Sequence, residues 1–287
     1  MICDQLPELE RAALHGIGEP LLNEELPDMI KYLKNRKAYV FFNSNGVLLD
    51  ERRQHQLIDT GLDELRISLD AASPAGYKAM RSSDKFDRIV GNVQTFSDRI
   101  RSLQVSRPKL SLWYLGTREN ISELPDFVRL AGSLGVTEVH LQRLVYFQDD
   151  EGYGLARPEK TLMDSDAAVT ELINASHAIA KQSGVKFNAS GLSDPLASVQ
   201  TGLSNPLPWK KCYRPQTLMY ITANGNVLPC CISPFATSEY ESIILGNVFD
   251  STLSEIWSGQ RYRTFREKRQ TEKPPKSCQG CGTLWSL

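Results

Sequence analysis

The sequence predicts an α/β fold followed by a small C-terminal region with its own means of stabilisation. Three observations carry this. Short apolar runs alternate with amphipathic stretches over the first ~145 residues, the pattern of βα units around a parallel sheet. Every cysteine except Cys3 lies in the last third of the 287 residues, beginning at Cys212. With 41% hydrophobic residues there is ample material for a core.

The elements follow in order. Residues 12–16 read as a strand. Asn23 caps a helix whose apolar positions Leu26, Met29, Ile30 and Leu33 share one face. Residues 38–42, an unbroken apolar run, read as a strand buried on both sides. Asp50 starts a helix carrying Leu57 and Ile58 that ends near Gly61. Residues 64–70 are a third strand, and Phe86, Ile89, Val90, Val93, Phe96 and Ile100 mark the helix after it. Residues 109–115 form a fourth strand. Asn120 and Glu123 predict a capping box for the helix bearing Leu124, Phe127, Val128, Ala131 and Leu134. Residues 136–146 are a fifth strand, 166–183 a longer helix and 185–189 a short strand. This order fits a barrel or an open doubly wound sheet, and periodicity does not decide between them.

The segment 191–208, rich in Gly, Ser, Asn and Pro, predicts a linker between a domain at 1–190 and one at 209–287. The latter is too small for a large core of its own, so a metal is the expected source of its stability. Charges nearly cancel, 33 basic against 34 acidic residues, which argues against nucleic acid or an anionic membrane as partner. No apolar run approaches the ~20 residues that span a bilayer, and no signal peptide is evident. A reducing, cytoplasmic setting follows, in which clustered cysteines bind metal rather than pair.

Ligands of parallel α/β folds sit at the C-terminal strand ends, where three loops stand out. Gly16, Gly18 and Glu19 precede Pro20 after the first strand. There the glycines permit close backbone approach, and Glu19 can accept from an amino group. Asn43, Ser44, Asn45 and Gly46 follow the second strand, and Ser68 with Asp70 ends the third. Taken singly, each is explained equally well by a turn or a cap. The tail adds Cys212, Cys230 with its neighbour Cys231, and Cys278-x₂-Cys281, two remote pairs of thiols of the kind a Cys₄ zinc site or an iron–sulfur cluster needs.

Together these residues resemble radical S-adenosylmethionine (SAM) enzymes with a C-terminal SPASM or twitch domain. The matching segments are Gly18-Glu19-Pro20-Leu21-Leu22, Ser44-Asn45-Gly46 and Ser68-Leu69-Asp70-Ala71. In the tail they are Cys212, Gly225-x₄-Cys230, Leu245-Gly-Asn-Val, Leu253-Ser-Glu-Ile-Trp257 and Cys278-x₂-Cys281. The resemblance implies a partial (β/α)₆ barrel and carries roles with it. Gly18 and Glu19 would meet the amino group of SAM, and Ser44, Ser68 and Asp70 its methionyl and ribose parts. Arg81 is either a carboxylate partner or an exposed helix residue. Cys212, Cys230, Cys278 and Cys281 would ligate one auxiliary [4Fe–4S] cluster, the same thiolates being able to hold zinc, with Cys231 spare. His15, His55, His140 and His177 read as structural, Trp209, Trp257 and Trp285 as core or hinge packing, and 148–157 as a loop over the site or an ordinary connection.

One departure matters. The family's SAM-cleaving [4Fe–4S] cluster needs a Cys-x₃-Cys-x₂-Cys loop after the first barrel strand, and Cys3 alone cannot hold it. The first strand and its loop are therefore expected to be missing, through a truncated or mis-assigned start or through genuine loss. That cluster belongs to the protein only if such an N-terminus is present. The activity implied is cleavage of SAM to a 5′-deoxyadenosyl radical that modifies a peptide, protein or small precursor, with electrons from a donor such as flavodoxin or ferredoxin. The chain as written is expected to be inactive alone. The alternatives are a non-catalytic iron–sulfur partner protein and a zinc-stabilised α/β protein.

Overall fold

The computed structural model describes residues 2–144, 158–162, 167–189, 195–196, 207–235, 237 and 239–279. The chain divides into two compact units. One comprises Glu8–Arg143 with Leu162–Gln200; the other comprises Met1–Pro7, Leu144–Thr161 and Thr201–Leu287.

The first unit is a sheet of six parallel strands in the order β1 (Arg11–Ala13), β2 (Tyr39–Ser44), β3 (Glu64–Ser68), β4 (Lys109–Gly116), β5 (Glu138–Arg143) and β6 (Lys186–Ala189). Each strand pairs with the next in sequence. The doubly wound alternative requires the strand order to reverse, and it does not, so the winding is that of a barrel wall. The helices between the strands are α1 (Leu26–Asn35), α2 (Glu51–Asp59), α3 (Pro74–Arg81), α4 (Phe86–Ser102), α5 (Leu124–Ser133) and α6 (Ala167–Gln182). Val40, Phe42, Leu65, Ile67, Leu112, Tyr114, Val139 and Leu141 are buried on one sheet face, along with Ile30, Leu57, Ile89, Val93, Phe96 and Phe127 of the helices. Each such side chain contributes on the order of 1.5–3 kcal/mol by leaving water.

The other sheet face is half-exposed. Burial in β2 and β5 alternates strictly, so the run at 38–42 is not buried on both sides: Tyr39 and Phe41 share the open face with Asn43. Parallel pairing keeps partners on one face, which adds Glu64, Arg66 and Ser68 of β3, Ser111, Trp113 and Leu115 of β4, and Glu138, His140 and Gln142 of β5.

Local signals are partly redirected by tertiary partners. Asp50 caps α2 as expected, its carboxylate accepting from Arg53 N at 2.9 Å. Asn23 instead accepts from Glu25 N, and Glu25 precedes α1. The Asn120–Glu123 capping box does not form. Asn120 donates to Asp70 O (3.0 Å) and Leu115 O (2.9 Å). Glu123 accepts from Ala72 N (2.8 Å) and Ser73 Oγ (3.1 Å), bracing the start of α3. Buried Asp63 accepts from Val40 N (2.7 Å) and pairs with Lys34 and Arg107, fixing the entry to β3.

The second unit holds a short helix α7 (Arg214–Thr217), the antiparallel strands β7 (Tyr220–Ile221), β8 (Asn226–Leu228) and β9 (Gly246–Asn247), and helices α8 (Leu253–Ser258), α9 (Gln260–Arg269) and α10 (Lys276–Gln279). Its core is Val227, Leu245, Ile256, Tyr262 and Phe265, with Cys278 packed against it. Thr252 and Glu255 form a full capping box for α8. Gln5 accepts from Leu253 N at 2.7 Å, tying the N-terminal turn to that helix. Most of the expected linker, and the loop at 148–157, lie outside the described residues. Among those described, no helix is long and apolar enough to cross a membrane.

Candidate functional site

The loops after β1 and β2 are joined by one side chain. Glu19 Oε1 accepts from Ser44 Oγ (2.7 Å) and Leu21 N (3.1 Å), and Oε2 accepts from Asn45 N (2.7 Å). Ser44, 3% exposed, closes the turn by accepting from Gly46 N at 3.0 Å. Gly46 lies at φ +74°, and a Cβ there would stand 3.0 Å from Ile89 and 3.2 Å from Ile67, so glycine is required twice over. Gly18, at φ +113°, has open space around it and lies in an exposed loop. A carboxylate has about four lone-pair directions. With three of them engaged, Glu19 retains acceptor capacity beside a cluster of backbone groups at two strand ends.

Ser68 stands half-exposed at the end of β3, paired in register with Trp113. Asp70, two residues further, is a left-handed residue (φ +59°) and 2% exposed. Its Oδ1 accepts from Leu115 N at 2.7 Å and Oδ2 pairs with Arg81. Burial pushes the Asp70 carboxyl above the usual range, and Arg81 opposes the shift. Arg81 is thus neither a free carboxylate partner nor a bystander: it neutralises Asp70, which ties β3, β4 and α3 together. The structure therefore joins Glu19 and Ser44 directly, next to Gly18. Ser68 and Asp70 lie on the next strand end, with no hydrogen bond to the other three among the described residues.

The sequence reading missed a row of side chains on the open sheet face. His15 contacts the ring of Phe41 edge-on, centroids 5.7 Å apart. The Arg66 guanidinium lies 4.0 Å from the Phe41 ring centroid and 4.6 Å from that of Trp113. Trp113 in turn stacks on His140 at 3.9 Å and 20°. Burial, reinforced by the charge of Arg66, lowers both imidazoles to a pKa of about 4, so both are neutral at pH 7. The signal that could have found them is period-two alternation of polar and aromatic residues along β3, β4 and β5.

In the tail, α9 organises the cysteine-bearing segments. Buried Arg269 donates to Trp209 O (2.7 Å) and Lys210 O (3.1 Å), and Trp209 Nε1 donates to Thr271 O, holding the turn that delivers Cys212. Arg266 donates to Pro215 O and Trp257 O, and its guanidinium lies about 4 Å from the Trp257 and Tyr262 ring centroids. Burial raises the Tyr262 hydroxyl to about 12, opposed by the charge of Arg266, and Cys278 packs against the core that holds this ring. Arg214 Nη1 lies 3.1 Å from Cys231 Sγ. Gly225, at φ +82°, faces Asn247 and Phe249 at distances a Cβ would violate, and Asn247 bonds Asn224, Asn226 and Phe249. The turn at Gly225 and the Leu-Gly-Asn segment of β9 are thus bonded to each other. Cys212, Cys230, Cys231 and Cys278 are half-buried and in no disulfide, and their sulfurs are soft donors of the kind iron–sulfur clusters require. No three ligating side chains converge among the described residues, and the fourth expected ligand, Cys281, lies outside them.

Comparison with known proteins agrees with this division. Residues 6–131 match the radical SAM superfamily, and residues 212–282 match the SPASM iron–sulfur cluster-binding domain. The PqqA peptide cyclase of Gluconobacter oxydans is 26% identical over 280 residues, 95% of this chain and 71% of that protein. The tungsten-containing aldehyde ferredoxin oxidoreductase cofactor-modifying protein of Pyrococcus furiosus is 22% identical over 287 residues, 97% of this chain and 75% of that one. Streptococcus suis SuiB, solved with S-adenosylmethionine bound, superposes with a TM-score of 0.68 at 16% identity, and this chain spans 63% of its length. On these matches, the chain carries a radical SAM domain over residues 6–131 and a SPASM iron–sulfur domain in its tail.

Proposed function

We propose that this chain binds S-adenosylmethionine at the β1 and β2 ends and one auxiliary [4Fe–4S] cluster in the tail, and that it belongs to an enzyme that modifies a peptide. The observation that carries the reading is Glu19, which fixes Ser44 and Asn45 while keeping an acceptor for an ammonium group. Gly18 lets the backbone approach the ligand. Ser44 and Ser68 supply hydroxyls, and Asp70 holds the Ser68 strand end in place rather than touching SAM first. The cluster ligands are Cys212, Cys230, Cys278 and Cys281, with 209–287 as their domain, 191–208 as linker and 1–190 as the barrel wall. In an enzyme that also holds the Cys-x₃-Cys-x₂-Cys cluster, SAM held by these residues would supply, on one-electron reduction, methionine and a 5′-deoxyadenosyl radical able to abstract hydrogen from substrate.

The peptide substrate is inferred from the PqqA peptide cyclases. A flavodoxin or ferredoxin is the fitting electron donor, and a reducing cytoplasm the fitting compartment for free thiols. These 287 residues contain no Cys-x₃-Cys-x₂-Cys. The chain on its own therefore binds SAM without cleaving it. The test is anaerobic reconstitution with iron and sulfide, then equilibrium dialysis against labelled SAM. Four irons per chain, saturable SAM binding and no 5′-deoxyadenosine under reductant are expected. Zinc retained in place of iron, or no SAM binding, overturns the reading.

A further inference from the structure

The two loops that Glu19 joins are also held from outside the sheet, by consecutive residues of α2. Arg53 reaches the first loop, its Nε donating to Leu21 O at 3.2 Å. The helix cap fixes its guanidinium for that task. Nη1 donates to Asp50 Oδ2 at 2.7 Å, while Asp50 Oδ1 accepts from Arg53 N at 2.9 Å. Leu21 is the middle residue of the 3₁₀ turn Pro20–Leu22, and its own N–H donates to Glu19 Oε1 at 3.1 Å. Arg53 therefore grips the carbonyl of the residue whose amide grips the carboxylate. Close packing does not replace it there. A cavity of about 180 Å³ opens between the turn, α1 and α2, and Leu21, Leu26, Arg53 and Leu57 all line it.

Gln54 and Asn92 serve the second loop. Asn92, on α4, donates through Nδ2 to Gly46 O (2.8 Å) and Val47 O (3.3 Å). Gln54, 1% exposed, donates through Nε2 to Leu49 O (3.0 Å) and Asn92 O (3.2 Å), so the loop's far side is held by α2 and α4 together. On the near side Gly46 N donates to Ser44 Oγ, and Ser44 Oγ and Asn45 N donate to Glu19. Gly46 is thus bonded through both its N–H and its carbonyl. A carboxylate aims its remaining lone pair only as well as its donors are fixed. A binding site needs such groups held within about 0.5 Å by partners that are themselves locked.

The geometry points to Arg53 and Asn92 as positioning residues of the SAM site. They stand behind the two loops and keep the remaining acceptor of Glu19 aimed at the ammonium group, with Gln54 tying α2 to α4. This rests on the reading of Glu19 given above and adds the residues that set the strength of its contact. None of the three lies in the Gly-Glu-Pro, Ser-Asn-Gly or Ser-Leu-Asp segments.

The test measures, by titration calorimetry on the intact chain, the affinity for S-adenosylhomocysteine and for its analogue with hydrogen in place of the amino group. Both ligands keep the adenosine, thioether and carboxylate, so the ratio of their affinities reads the ammonium contact alone. The wild-type chain is expected to prefer the amino form at least tenfold, the worth of a charge-assisted bond. Arg53→Met keeps the aliphatic stem and Asn92→Leu the side chain's size. In each the preference is expected to fall below threefold, while the analogue binds within threefold of its wild-type affinity. Arg129→Ala, on the exposed side of α5, is expected to keep the full preference. Damage to the fold would weaken both ligands by one factor and leave the ratio unmoved, and variants on two helices guard against one that does not fold. A tenfold preference that persists in either variant overturns the role of that residue and leaves the SAM reading standing. A wild-type chain that binds neither ligand, or both equally, overturns the reading of Glu19, and the positioning role with it.

Discussion

Glu19 and the two imidazoles of the open face do different work. Glu19 accepts from three donors and so joins two loops. In Glu19→Gln the side-chain amide must point a donor at either Ser44 Oγ or Asn45 N, loosening one loop from the other. A loss of about 1–3 kcal/mol is expected from an unmade bond of this kind, with at least a tenfold weaker SAM affinity by equilibrium dialysis, while unchanged affinity would remove Glu19 from the site. His15 and His140 are held neutral, with folded pKa values of about 4 against 6.5 in the unfolded chain. The unfolded state therefore binds protons first as pH falls. Their contribution to stability is complete above about pH 6.5, declines between there and about pH 4, and is level below. Between pH 7.5 and 5.5 each imidazole should cost about 1.3 kcal/mol. Urea denaturation of metal-free protein at these two pH values should show a drop that shrinks by about 2–3 kcal/mol in the His15→Phe/His140→Phe double variant. An equal drop in both proteins would contradict the assigned burial.

At the scale of elements, local periodicity made most of the helices legible, because each buries one apolar stripe and tertiary packing only reinforces it. Phe86, Ile89, Val93 and Phe96 of α4 are buried as their spacing requires. Side chains that serve partners some fifty residues away were not legible. Asn120 and Glu123 have the spacing of a capping box, yet they bind Asp70, Ala72 and Ser73. The Phe41–Arg66–Trp113 stack depends on register between strands, which no single run of sequence contains. Of the candidate site, the Glu19 and Ser44 loops could be read from their glycines and their position at strand ends, whereas the Asp70–Arg81 pair needed the fold. Glu123 also yields a test. A Cβ on Gly76 would stand 1.9 Å from Glu123 Oε1, so Gly76→Ala must expel the carboxylate from the start of α3. A cost of about 1–3 kcal/mol is expected. Adding Glu123→Ala should recover part of it, a non-additivity that thermal melts of the single and double variants would measure. Strict additivity would mean the two side chains do not share this space.

At the scale of the whole molecule, the two units differ in how they are stabilised. The barrel wall buries a large apolar layer under six helices. Among the described residues the tail buries eight hydrophobic side chains, five of them in one cluster, supplemented by Arg266 and Arg269 bonding backbone carbonyls and by the Thr252–Glu255 box. A core of that size supplies little net stability by itself, so bound metal should contribute most where the cysteines lie. Calorimetry of chelator-treated protein should then resolve two transitions. Reconstitution with iron and sulfide should raise the one belonging to the tail and leave the barrel transition in place, because a ligand stabilises only the unit that binds it. Cys278→Ser should cancel the gain, since loss of one of four thiolates opens the site, while Cys231→Ser should keep it, with Arg214 simply losing a weak acceptor. A single transition that moves as one on adding iron would show that the tail has no independent stability to gain. A gain that survives Cys278→Ser but not Cys231→Ser would move the fourth ligand to Cys231 and redraw the site around Arg214.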